Sequence, residues 1–149
     1  MPYTPPVPGQ HITPALLEAL AGPWQPYTAT LSGITLGADG SVITRYQIVT
    51  NKVLVAWNVN WGSATSGNMP TISLPVPAAS LGGMRWSGDV TIGPGAGSYR
   101  SGSAYLTDSG TAISAYALTS TAGLTSSLSS AGISMVAGGF IQGNIEYEF

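Results

Sequence analysis

Five large side chains at every second position constrain this chain more than any other feature: Val53, Val55, Trp57, Val59 and Trp61, with Asn58 and Asn60 between the last three. A period of two places all five on one face of an extended strand. The preceding run, Val42 to Thr50, is rich in the β-branched and aromatic residues that favour strands. Asn51-Lys52 lies between the two runs, and Asn tolerates the positive φ of tight hairpin turns. Lys is a weaker second turn residue than Gly, so the turn type stays open. Thr44 to Trp61 is therefore read as a β-hairpin at the centre of the core.

The remaining chain follows the same reading. Short strands are expected at Pro26 to Ser32, Met69 to Leu74, Met84 to Ile92, Tyr99 to Thr107, Thr111 to Leu118, and from Ile141 to Phe149. In the last, Ile141, Ile145, Tyr147 and Phe149 face one way and Gln142, Asn144, Glu146 and Glu148 the other, the pattern of a strand with one buried face. Turns are expected at Gly37 to Ser41, Pro94 to Gly97 and Asp108 to Gly110, and loops at Gly62 to Asn68 and Ser120 to Gly132. Leu124 and Leu128 leave a weak helical option in the last loop. About eight strands spaced near ten residues apart imply a mainly β fold, an antiparallel β-sandwich.

Residues 1–23 differ. Prolines at positions 2, 5, 6 and 8 suit an extended arm that reaches about 30 Å at most, or equally a disordered tail. Thr13 and Pro14 then suit the cap and first position of a short helix that Gly22-Pro23 would stop. Leu16, Leu17 and Leu20 share a face of it. Two turns are marginal alone in water, so this face needs a partner. The chain thus divides into an attachment segment, 1–23, and a sandwich, 24–149.

Only 7% of the 149 residues are charged, against about 25% in ordinary domains. Such a surface is weakly protected against association and suits contact with other subunits; an extracellular domain solubilised by Ser and Thr is the alternative. Arg45, Lys52, Arg85 and Arg100 are scattered, which argues against nucleic-acid binding. No run reaches the length of an apolar membrane span, and the first ten residues do not read as a signal peptide. Cysteine is absent, so there is no disulfide or thiol nucleophile.

Residue types with chemical potential are sparse. His11 is the single histidine and lies in the proline-rich arm without neighbouring Cys, Asp or Glu, so neither a metal site nor a Ser-His-Asp triad is expected. Glu146 and Glu148 stand about 7 Å apart along a strand, a spacing that glycosidases use and that any polar-faced strand also has. Asp39 and Asp108 sit in turns, where Asp commonly binds its own backbone. The glycines from Gly93 to Gly97 lack the Lys and Ser/Thr of a phosphate loop. No catalytic residue, cofactor or metal is expected. Trp57, Trp61 and Trp86 fall on core parities, while Tyr99, Tyr105 and Tyr116 are either the ordinary aromatics of half-buried strands or candidates for stacking on sugars.

Trp24 with Tyr27-Thr28, Leu36-Gly37-Ala38-Asp39-Gly40, Arg45-Tyr46, Lys52-Val53 and Leu74-Pro75-Val76-Pro77-Ala78 together resemble small tail-fibre-like and minor tail proteins of phages infecting actinobacteria. The closing Ile145-Glu146-Tyr147-Glu148 is similar to the last strand of their trimeric jelly-roll modules, broadly like tumour-necrosis-factor-like and C1q-like heads. The resemblance covers residues 24–92 and the final strand. It implies a non-enzymatic virion structural protein, trimeric, assembled in the host cytoplasm and exposed on the particle, with other virion proteins as partners. A capsid decoration or head-fibre protein is the alternative within that class, and a head that binds host glycans is the alternative outside it.

Overall fold

The structure, a computed structural model, describes residues 22–95, 98–121 and 123–149. The expected arm and helix, with Leu16, Leu17 and Leu20, lie outside the described residues. Among the described residues there are ten strands: β1 (Gln25–Pro26), β2 (Leu31–Thr35), β3 (Ser41–Val49), β4 (Lys52–Asn60), β5 (Ser66–Ser73), β6 (Arg85–Gly93), β7 (Arg100–Thr107), β8 (Ala112–Leu118), β9 (Leu124–Thr125) and β10 (Phe140–Glu148). All pairings are antiparallel and form one sheet in the order β1-β3-β4-β10-β6-β7-β8-β5-β2, with β9 beside β8. The sheet curls into a half-barrel around its own inner face.

The β3–β4 hairpin forms as its alternation requires. Val53, Val55, Trp57, Val59 and Trp61 are all buried. The turn is Thr50-Asn51, one residue earlier than expected, because Val49 pairs with Lys52. Thr50 carries the positive φ of 56°, an unfavourable angle for a β-branched residue. Packing explains why this register prevails over the local preference. It sets Thr44 of β3 opposite Trp57 on one side, while β10 sets Gly143 opposite Trp57 on the other. A Cβ at Gly143 would overlap the indole of Trp57, and one at Gly139 would overlap that of Trp61. Small neighbours therefore make room for both indoles inside a close-packed core.

Two further glycines allow the curl. A Cβ at Gly88 of β6 would strike the Asn144 carbonyl, and one at Gly102 of β7 the Tyr116 carbonyl. Backbone this close to a neighbouring strand is the signature of a bend where a barrel turns a corner.

The expected strand from Pro26 to Ser32 is in fact two strands on opposite edges of the sheet. β1 pairs with β3, and β2 pairs with β5. Between them Tyr27 N–H donates to Thr44 O at 3.2 Å, and its phenol donates to Ser73 O of β5 at 3.3 Å. One segment thus laces the two edges of the half-barrel together.

Loops close both ends. At one end Tyr147 donates its phenol to Val76 O at 2.6 Å, and Ala79 N–H donates to Glu148 O at 2.8 Å. At the other, Leu128 and Ile133 are buried against the core. Leu128 belongs to the stretch expected to be loop, which instead carries the two-residue strand β9 paired to β8 and then turns Leu128 inward as a plug. The expected loop from Gly62 ends sooner, since β5 begins at Ser66, and Met69 and Pro70 are both buried where β2 and β5 slip register. Phe149 corrects another expectation: it lies beyond β10 and is 44% exposed.

Trp57→Ala will destabilise the domain by about 3–5 kcal/mol in urea unfolding, as for other large core truncations. Gly143→Ala will also destabilise it. The double variant will cost less than the sum by about 0.5–3 kcal/mol if the two positions share one volume. Strict additivity would show that the indole and Gly143 do not compete for space.

Candidate functional site

Side chains on the outer face of the sheet alternate with the core residues, and cross-strand register aligns them in rows. One row runs Arg45, Ala56, Asn144, Asp89, Ser103 and Tyr116 across β3, β4, β10, β6, β7 and β8. The next includes Ser87, Tyr105, Ser114 and Thr71. Tyr105 and Tyr116 meet edge to face, with ring centroids 5.6 Å apart and planes at 76°. This geometry is favourable for an aromatic pair. Both rings are half-buried, with Ser103 and Ser114 as their immediate outer-face neighbours across the strands.

Tyr99 stands apart from this pair. It precedes Tyr105 by six residues, about 20 Å along an extended strand. It is 70% exposed and leans on Phe140, centroids 5.9 Å apart, whose ring covers Gly93. The three candidate tyrosines therefore form two separate aromatic features rather than one surface.

The second feature borders the rim where β4, β6 and β8 end. A cleft of about 370 Å³ is lined there by Pro94, Ser98, Arg100, Ile133, Ser134 and Val136. A smaller depression of about 130 Å³, lined by Pro94, Tyr99, Gly138 and Phe140 among others, adjoins it through Pro94. Arg100 was not singled out by sequence reasoning. A signal existed: it shares the parity of Gly102, Ala104 and Leu106, and a cation at an inward position of a strand must sit at a rim to stay hydrated.

The carboxylates mostly serve structure. Glu146 pairs with Lys52 at 2.5 Å, both side chains about half exposed, and the hydrogen bond and the charge of Glu146 raise the lysine's pKa. Such a surface pair adds little stability. Asp39 and Asp108 bind the backbone of their own turns as expected, at Asp39 itself and at Ser109, and they also hold distant loops. Asp39 accepts from Ser63 N–H at 2.8 Å and from its hydroxyl at 3.0 Å. Asp108 accepts from Leu81 N–H at 2.5 Å and Gly83 N–H at 2.9 Å. These bonds favour the ionised form and lower both pKa values. The Lys52–Glu146 pair is the one ion pair among the described residues. Among those residues no three His, Cys, Asp or Glu cluster as metal ligands. His11 lies outside them.

Burial pushes the Tyr27 phenol up to about 12 and the Tyr147 phenol higher still. These shifts have opposite pH consequences to those of the carboxylates. A raised phenol favours the protonated folded state, so its contribution is complete below pH 10 or so and fades as pH rises through 12. A lowered carboxyl contributes above about pH 4, and that contribution fades as pH falls through the folded-state value. The melting temperature will therefore fall on both sides of a neutral plateau. Tyr27→Phe will flatten the alkaline limb and Asp108→Asn the acid limb in scanning calorimetry. An alkaline limb unchanged in both Tyr27→Phe and Tyr147→Phe would refute the assignment.

Among the described residues no helix is long and apolar enough to cross a membrane, which says nothing of spanning by strands. No protein-family model, curated protein or solved structure matches the chain.

Proposed function

We propose that this chain is a non-enzymatic structural protein of a phage virion, a jelly-roll-type module that trimerises through the outer face carrying Tyr105 and Tyr116. The observation that carries the reading is that face itself. Around the paired rings the outward side chains of β7 and β8 are Ser101, Ser103, Thr107, Ala112, Ser114 and Leu118, none of them charged, while the charged outward residues lie on β3, β4, β6 and β10. Short polar side chains and rigid rings lose little rotamer entropy when covered. Interface centres are likewise depleted in charge and enriched in aromatics. The resemblance of residues 24–92 to small tail-fibre-like and minor tail proteins supports the virion assignment. A capsid decoration or head-fibre role is the variant within this class, and copy number per particle separates the two.

Sedimentation equilibrium is expected to show three copies of the 15.2 kDa chain. Tyr116→Arg is expected to give a folded monomer, with an unchanged circular dichroism spectrum. A wild-type chain that stays monomeric even under chemical crosslinking would overturn the trimer.

Attachment is assigned to residues 1–22, with Leu16, Leu17 and Leu20 as the contact face. They lead into the sheet at Gly22, whose carbonyl accepts from the Gln47 side-chain amide at 2.6 Å on the outer edge of β3. Three leucines supply roughly 1.5–3 kcal/mol each on burial, which ordering the arm would largely consume. Three arms on one trimer would gain from avidity. Deleting residues 1–22 will leave a soluble, folded trimer that no longer enters particles. An insoluble product would place the segment in the domain core, and normal incorporation would move attachment to the sheet.

A further inference from the structure

The rim of the half-barrel combines features that the structural role does not use. Arg100 is one of only four basic residues in the chain. Among the described residues it has no carboxylate within ion-pair distance. It lines the larger cleft together with the hydroxyl-bearing Ser98 and Ser134, over an apolar floor that includes Ile133. Beside this cleft, across Pro94, stands the exposed Tyr99 ring braced by Phe140.

We propose that this rim binds a carboxylate-bearing sugar residue, of the uronic acid kind, within a longer saccharide. Each part of such a ligand has a counterpart. The guanidinium offers a planar set of donors that matches a carboxylate. The hydroxyls of Ser98 and Ser134, which line the same cleft, can donate to or accept from ring hydroxyls. The tyrosine face suits the apolar C–H face of a neighbouring sugar, and Phe140 holds that ring from behind. Two depressions sharing one wall fit two consecutive sugar units, one acidic and one neutral. A nucleotide or polyphosphate fits less well, because a single cation would face several negative charges.

The site lies on the rim and the trimer surface on the outer face of β7 and β8, so the two readings fail separately. The test uses the full chain and titrates glucuronic acid, glucose and acetate as separate probes, followed by heteronuclear NMR at low and high salt. Glucuronic acid is expected to bind saturably at millimolar concentration, near the weak end of specific recognition at about 1 mM, and to shift the amides of Ser98, Arg100 and Ser134. Glucose is expected to bind about tenfold more weakly, as is acetate, which lacks the hydroxyls. Arg100→Gln should reduce glucuronic acid affinity about tenfold and remove its salt dependence, with the melting temperature and the sedimentation profile unchanged. Arg45→Gln, on the outer face, should leave binding unaltered. A cellobiouronic-type disaccharide should bind more tightly than glucuronic acid, and Tyr99→Ala should abolish that gain. Absence of binding, equal affinity for glucose, equal affinity for acetate, or full affinity in Arg100→Gln would each overturn the proposal.

Discussion

The fit of Trp57 between Thr44 and Gly143 sets the geometry on which the other strands depend. An indole needs more width than the spacing of neighbouring strands leaves when both flanking residues are large. Gly143 on one side and Thr44 on the other resolve this and select one register for β3 on β4 and one for β10 on β4. Trp61 repeats the device over Gly139. Once β10 is locked onto β4, Ile141, Ile145 and Tyr147 face inward with no freedom to slip. A one-residue slip would turn all three outward. Neither buried indole N–H finds an acceptor among the described residues, so these rings contribute through volume and packing.

A curled sheet still has two edges, and exposed edges invite pairing with other chains. Here both edge strands come from one stretch, residues 25–35, which crosses from β3 to β5. Tyr27 is the pivot, with its backbone bonded to Thr44 and its phenol to Ser73. Its ring also meets Tyr46 edge to face, centroids 5.8 Å apart. The same burial that raises its pKa makes it a cross-brace between the ends of the sheet. Asp39 and Asp108 do a parallel job for the loops at the two ends. Each uses one carboxylate to satisfy backbone donors far away in sequence.

With the interior given over to volume matching, the outward face and the rim are what remain for function. On β7 and β8 the face offers an uncharged surface of short side chains and a tyrosine pair. The rim offers a cation with hydroxyls and an aromatic ring. These are different chemistries at different places, and the two proposals made for them, a subunit neighbour and an acidic saccharide, rest on separate residues.

The sequence by itself determined the class of fold and the inward face of its central strand. Alternation at Val53 to Trp61 and at Ile141 to Tyr147 is local information, since side chains two apart share a face whatever the tertiary context. Turn residues at Gly37 to Gly40 and Asp108 to Gly110 were legible for the same reason. Tertiary structure decided the rest. The hairpin turn moved to Thr50-Asn51 because the width of Trp57 outweighed a local turn preference. The stretch around Pro26 became two strands because its partners lie on opposite edges of a sheet, and sequence periodicity carries no record of which edges meet. Leu128 entered the core without any periodic pattern, since a plug needs one apolar side chain in the right place rather than a repeat. Tyr105 and Tyr116 came together, and Tyr99 stayed apart beside Arg100, because cross-strand register joins residues that are distant in the chain.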